Sequence, residues 1–196
     1  MKIMLQKLTL QKGFTLIEVL ITLIIVAIGL LGLAGLQVTS LKNQMEAYQR
    51  AQAILLVEDM VNRARVNAIE ARAGSYTDGE DYGRIDSDDI CPADPSVATT
   101  AQNDLCAWND ALVGVDVLSS TSQNFGSIIG ARGCIENLDG VSGDGDRIVR
   151  VTVAWLGASP TVEPAADCGE NQFGADDRYR RVVSMDAVLA NLALAP

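Results

Sequence analysis

The sequence predicts an α+β fold in which a long N-terminal α-helix packs on an antiparallel β-sheet. Residues 19–36 carry no charge, and the stretch that follows lacks proline as far as Ala73. The C-terminal half contains apolar runs, the clearest of which alternates between apolar and polar residues. Because no helical pattern separates these runs, the strands are expected to pair antiparallel.

The apolar run, residues 14–37, is long enough to span a bilayer. A cleaved secretory signal peptide and an ordinary signal anchor both fit its composition. The run exceeds the 7–15 residues typical of a signal-peptide core, and the helical pattern continues beyond it, which favours an anchor. A cytoplasmic N-terminus is indicated by three preceding lysines, Lys2, Lys7 and Lys12.

Glu18 lies near the start of this apolar run. An ionised carboxylate in lipid is unfavourable unless it acquires a partner. Neither a signal peptide nor a plain anchor accounts for it. Glu18 is therefore a candidate functional residue.

Residues 38–73 form the amphipathic half of the predicted helix, which runs uninterrupted from about Phe14 to about Ala73 and ends at Gly74. Gly29, Gly32 and Gly35 in the first half either allow close helix packing or reflect the frequency of glycine in membrane helices. Apolar residues on one face recur at spacings of three and four: Ala47, Ala51, Ile54, Val57, Val61, Ala64 and Ala68.

Residues 74–196 form the predicted soluble part. An irregular, acidic connection leads to a short helix over Ala101–Val113, with Leu105, Trp108 and Leu112 on one face. Strand-like runs follow at 127–136, 147–156 and 178–189, the first two joined by a loop of Asp and Gly residues that suggests a hairpin. In the second run, the residues expected to face one way are Val149, Val151, Val153 and Trp155.

Composition argues against several function classes. The net charge of −10 disfavours binding to nucleic acid. The chain has no histidine and no phosphate-binding or nucleophile motif. We therefore predict neither catalytic residues nor a cofactor.

Four cysteines lie beyond the apolar run, at Cys91, Cys106, Cys134 and Cys168. Their even number and the absence of a C-x-x-C pair indicate disulfides in an oxidising compartment rather than a zinc site. Three pairings are possible. We favour Cys91–Cys106 and Cys134–Cys168, because each would close a loop between neighbouring elements.

Asp139, Asp144 and Asp146 form a weak calcium candidate. Their spacing does not match an EF-hand loop, and no acidic residue occupies the twelfth position. A turn explains the Asp and Gly residues better. We predict no metal site.

The segment Lys12-Gly13-Phe14-Thr15-Leu16-Ile17-Glu18 resembles the class III signal of type IV pilins and type II secretion pseudopilins. Residues 28–37 are similar to minor pilins of the PilV type, which are also called type IV pilus modification proteins. This resemblance implies that prepilin peptidase removes a leader, residues 1–13, by cutting between Gly13 and Phe14. It also implies that Phe14 is N-methylated and that Glu18 acts in assembly.

The resemblance further implies a minor pilin, a structural subunit that joins other major and minor pilins through its N-terminal helix. Its roles would be pilus assembly at the tip, adhesion and twitching motility. Before assembly it would cross the inner membrane once, with a periplasmic C-terminal domain, and afterwards it would lie in the pilus. Two alternatives stay open: a minor pseudopilin of a type II secretion system, and a membrane-anchored periplasmic ligand-binding domain.

Overall fold

The computed structural model describes residues 13–77, 82–84, 90–114, 128–138, 146–174 and 176–191. These residues contain helices α1 (Leu16–Val66), α2 (Ala68–Ala73) and α3 (Thr100–Val113), and strands β1 (Arg132–Leu138), β2 (Arg147–Leu156) and β3 (Arg180–Leu189). The chain divides into two compact units, Met1–Asn43 and Gln44–Pro196. The predicted α+β fold class is confirmed.

The first unit contains the apolar start of α1. Every residue from Gly13 to Asn43 is exposed. An 18-residue window of α1 has a mean hydropathy of 2.8, and α1 is the one helix among the described residues that is long and apolar enough to cross a membrane. A helix that is apolar on all sides is typical of surroundings made of lipid or other helices.

The predicted uninterrupted helix is wrong at Asn67, which separates α1 from α2. Asn67 adopts φ −105° and ψ 48°, outside the helical region. Its side-chain nitrogen donates to Glu70 Oε2 at 3.0 Å and to the Tyr76 hydroxyl at 3.2 Å. An asparagine side chain that bonds locally competes with helical geometry. The helical region then ends at Gly74 with φ +93°, at the predicted position.

Tyr76 accepts the hydrogen bond that holds the Asn67 side chain at this break. It is fully buried, and its hydroxyl donates to Asp104 Oδ2 at 2.5 Å. Burial, together with the bond to Asp104, raises the pKa of the Tyr76 hydroxyl. The hydroxyl therefore keeps its proton and remains a donor across the physiological pH range.

In the second unit, α1 covers the sheet with a face that differs partly from the predicted one. Ala47 and Ala51 are exposed, so the predicted stripe is wrong at its N-terminal end. In this part of α1 small or polar residues lie on every side of the helix, so residue type alone does not identify the buried face. The buried residues of α1 are Gln49, Ala53, Val57, Met60, Val61 and Ala64.

The sheet is antiparallel, as predicted, with strand order β1-β2-β3. Strand β2 has the predicted limits, whereas β1 begins at Arg132 and β3 at Arg180, later than the predicted runs. The predicted core face is confirmed: Val149, Val151, Val153 and Trp155 are at most 3% exposed. Most of the loop between β1 and β2 lies outside the described residues.

Helix α3 begins at a capping box formed by Thr99 and Gln102 and ends at Gly114, which has φ +79°. Its predicted apolar face is confirmed, since Leu105, Trp108 and Leu112 are all buried. The structure adds Thr100 to the predicted range.

Gly133 of β1 lies directly against α3. A Cβ atom at this position would stand 2.4 Å from Trp108 Cη2 and 2.7 Å from Leu112 Cδ1. Trp108 in turn donates from Nε1 to the carbonyl oxygen of Leu56 in α1, at 2.9 Å. The absent side chain therefore makes room for an indole that joins α3 to α1.

The opposite face of the sheet is partly covered by residues 157–174 and 176–179, an arrangement that the sequence did not predict. Cys168 and Phe173 from this segment pack with Cys134 and Ala154 of the strands. Arg180, only 1% exposed, forms an ion pair with the buried Asp177. Its guanidinium also donates to three backbone carbonyl oxygens of the segment, those of Pro164, Ala166 and Cys168.

On the same face of the sheet, Arg150 and Asp186 form a bidentate pair at 2.7 and 2.9 Å across neighbouring strands. The hydrogen bond from Arg150 lowers the pKa of the Asp186 carboxyl. A lowered folded-state pKa contributes stability that is present above the unfolded pKa, near 4, and is lost as pH falls through the folded value. The pair therefore stabilises the fold at neutral pH but not in acid.

We predict that Asp186→Asn unfolds a few degrees below the wild type at pH 7, since exposed pairs contribute little. The difference should decrease as pH falls and should vanish below the lowered folded-state pKa of Asp186, where the carboxyl is protonated in both states. Thermal unfolding followed by circular dichroism between pH 2.5 and pH 7 measures this. A difference that stays constant over the whole range would contradict the prediction.

Candidate processing and assembly site

Gly13 and Phe14 immediately precede α1. The Phe14 side chain is 84% exposed. A Cβ atom placed on Gly13 would meet no other atom of the described chain within 4 Å. The packing of this chain therefore does not require glycine at position 13, and the phenyl ring is open to another molecule.

Glu18 lies in the first turn of α1, close to the positive end of the helix dipole. Its backbone nitrogen donates to the carbonyl oxygen of Thr15 at 3.1 Å, which starts the helix. Glu18 is exposed, and no ion pair involves its carboxylate within the described residues. The helix terminus favours the charge but does not neutralise it.

The three glycines of the apolar segment have no packing partner among the described residues. A Cβ atom on Gly29, Gly32 or Gly35 would meet no described atom within 4 Å beyond the helix's own backbone. Glycine lowers helix stability by roughly 1 kcal/mol relative to alanine. No contact among the described residues offsets this loss.

Two family comparisons cover this region and its continuation. Residues 8–34 match the prokaryotic N-terminal methylation motif. Residues 35–107 match the type IV pilin family Tt1218. The chain is a type IV pilin-like protein. No curated protein and no solved structure gave a significant match.

The predicted resemblance to type IV pilins is thereby confirmed, although a specific closeness to PilV-type chains is not shown. A type IV pilin is a structural subunit of a pilus-like system. The class III signal implies processing by prepilin peptidase and assembly with other pilins. Together with the apolar helix, the signal indicates membrane anchoring before the pilin enters the pilus.

The four cysteines of this pilin-like protein lie in the second unit, as two pairs. Cys91 is joined to Cys106, with the Cα atoms 4.7 Å apart, and Cys134 to Cys168, with the Cα atoms 5.8 Å apart. The first bridge connects the loop before α3 to α3, and the second connects β1 to the segment that covers the sheet. Both are structural elements of the second unit.

The weak calcium candidate cannot be assembled from the described residues. Asp139 and Asp144 lie outside them. Asp146 is described, and its Oδ1 accepts a hydrogen bond from the backbone nitrogen of Asn191 at 2.7 Å. Asp146 therefore has a structural role next to the end of β3.

Sequence reasoning did not single out Arg132 or Arg180, the two arginines that hold the segment over the sheet. Arg132 donates from Nε to Gln172 Oε1 at 2.5 Å, and Arg180 bonds three carbonyl oxygens. Both are the first residues of strands. The sequence shows an arginine at the start of each of these strands. It does not show which distant loop the arginine side chain contacts.

Proposed function

We propose that the chain is a minor pilin, built into or under the tip of a type IV pilus. Prepilin peptidase would cut between Gly13 and Phe14, and Phe14 would then be N-methylated. Glu18 supports this proposal most directly. It is a carboxylate in an apolar helix, without an ion-pair partner among the described residues, and it lies four residues after the amine that cleavage would create.

Electrostatics gives Glu18 its role in this proposal. A charge within an apolar environment is retained only where a partner and hydrogen bonds compensate its desolvation. The new ammonium of Phe14 on a neighbouring subunit would supply that partner. Residues 14–37 would then exchange lipid for other pilin helices, and residues 38–73 would connect them to the soluble domain of residues 74–196.

The proposed topology follows from the same segment. Before assembly, the helix would cross the inner membrane once, with its N-terminus in the cytoplasm and the soluble domain in the periplasm. The periplasm is oxidising, which agrees with the two disulfides. After assembly, the domain would be displayed on the pilus and would contribute to adhesion and twitching motility.

Processing is tested by the intact mass of the protein purified from the membrane. We expect a chain that begins at Phe14 and carries one added methyl group. Gly13→Val should abolish cleavage, because the peptidase requires a small residue there while the chain itself leaves room for a side chain. Gly29→Val is the matched control, since it makes the same change in an equally open position and should be cleaved normally. A wild-type protein that still begins at Met1 in cells with active peptidase would refute the proposal.

A deletion strain separates the pilus from the alternative of a type II secretion pseudopilin. We expect fewer surface pili and weaker twitching, with normal release of secreted enzymes. Normal pili combined with impaired secretion would instead identify a pseudopilin.

A further inference from the structure

An open cleft of about 390 Å³ lies on the face of the sheet that residues 157–179 partly cover. Its volume falls within the range of small-ligand sites. One wall comes from the sheet and the other from the covering segment. The lining residues are Gly130, Arg132, Leu156, Gln172, Phe173 and Gly174.

Arg132 is held in this cleft by neutral acceptors. Its Nε donates to Gln172 Oε1 at 2.5 Å, and its Nη1 donates to the carbonyl oxygens of Gly83, at 2.6 Å, and Ala131, at 2.9 Å. The second terminal nitrogen, Nη2, donates to no atom among the described residues. The guanidinium is thus fixed in orientation while two of its five N–H groups stay available.

The charge of Arg132 is also uncompensated. Five arginines form ion pairs with carboxylates in the described parts of the chain, and Arg132 is not one of them. The chain has a net charge of −10, yet no carboxylate of the described residues lies within ion-pair distance of this guanidinium. A carboxylate on Nη2 would leave these bonds in place and would add a hydrogen bond in which donor and acceptor carry opposite charges.

Apart from the Gln172 amide, the side chains that line the rest of the cleft are apolar, and they are fixed in place. Phe173 is 7% exposed and lies against Gly169, where a Cβ atom would stand 2.7 Å from the ring. Leu156 contributes a partly exposed aliphatic side chain. The disulfide Cys134–Cys168 ties the covering segment to β1. A ligand would therefore meet a site that is formed before it binds, which limits the entropy lost on binding.

We propose that this cleft binds a small carboxylate with an apolar body, the carboxylate on Arg132 Nη2 and the apolar part against Phe173 and Leu156. The proposal is independent of pilus assembly, because it concerns the soluble domain and a free ligand.

The test is a titration of the ¹⁵N-labelled full chain in non-ionic detergent micelles with phenylacetate, followed by NMR. The matched probe phenylacetamide keeps the ring and removes the charge. We expect phenylacetate to shift the Gly130 and Gly174 amides and the Arg132 Nε–H signal. It should bind at least about 10-fold more tightly than the amide, as a hydrogen bond to a charged group implies. Equal affinities of the two probes, or shifts confined to other residues, would overturn the proposal.

Substitution provides a second test. Arg132→Gln should lower the affinity for phenylacetate about 10-fold, to that of the amide. Arg150→Gln is the matched control, because Arg150 lies on the same face of the sheet but is already paired with Asp186; its affinity should equal that of the wild type. Undiminished binding in folded Arg132→Gln contradicts the proposal. Should that variant not fold, the comparison of acid and amide on the wild type still decides.

Discussion

Glu18→Val is expected to keep the pilin in the inner membrane and to remove it from sheared pili. Membrane insertion should persist, because the substitution deletes a charge from the apolar run. Cleavage should also persist, because Gly13 and Phe14 are unchanged. Fractionation of membranes and purified pili, with immunoblotting of both, measures the effect.

The expected loss is large because the proposed pair lies in an environment of low dielectric. Removing one partner of a buried ion pair costs about 3–5 kcal/mol, since the other charge is left uncompensated. That energy corresponds to a decrease on the order of 100- to 4,000-fold in the equilibrium for joining the filament. Within the described residues Glu18 has no intrachain ion pair whose loss could explain the same result.

Two further variants make this experiment specific. Glu18→Asp keeps the charge but shortens its reach by one methylene group, so partial incorporation would indicate a direct ion pair. Glu58→Val makes the same change at an exposed glutamate of α1 beyond the apolar run and should enter pili normally. Equal amounts of Glu18→Val and wild type in purified pili would mean that the carboxylate is not the assembly contact.

Removing the Cys134–Cys168 bridge, by the double substitution Cys134→Ala and Cys168→Ala, is expected to lower the free energy of unfolding by roughly 2–5 kcal/mol. This bridge closes a separation of 34 residues, against 15 for Cys91–Cys106. A longer loop loses more conformational freedom when it is closed, by about 0.6 kcal/mol per doubling. The matched pair Cys91→Ala and Cys106→Ala should therefore cost slightly less.

Urea unfolding of the wild type and both double variants gives these free energies, and thiol titration of the envelope-purified protein gives the redox state. We expect no free thiol before reduction. Arg180 should keep residues 157–179 on the sheet in the folded variant, because its bonds to three carbonyl oxygens do not involve sulfur. Four titratable thiols in the native protein would refute the disulfide assignment, and a bridge between Cys91 and Cys134 would refute the pairing.

The parts of the fold that the sequence predicts well are those with a strong internal period. Strand β2 alternates valines with other residues and ends at Leu156, as expected from that alternation. Helix α3 combines an apolar face with a capping box at Thr99 and a glycine after its last turn. In each case local geometry and burial favour the same limits.

The unpredicted parts depend on side-chain contacts that periodicity does not reveal. Asn67 interrupts the helix because its side chain bonds Glu70 and Tyr76 nearby in the chain. Residues 157–174 and 176–179 lack any period, and they are placed on the sheet by bonds to Arg132 and Arg180 and by the Cys134–Cys168 bridge. The candidate assembly residues Gly13, Phe14 and Glu18 are the opposite case, since adjacent residues of the chain form the whole motif.

Gly133 has a consequence for how this pilin domain can vary through evolution. The indole of Trp108 occupies the space where any side chain at 133 would begin, and the same indole bonds Leu56. A mutation at 133 alone meets a steric clash, whereas a smaller residue at 108 alone opens a void and frees the Leu56 carbonyl. Positions 133 and 108 are therefore expected to change together. Homologous domains should have both Gly133 and Trp108 or neither.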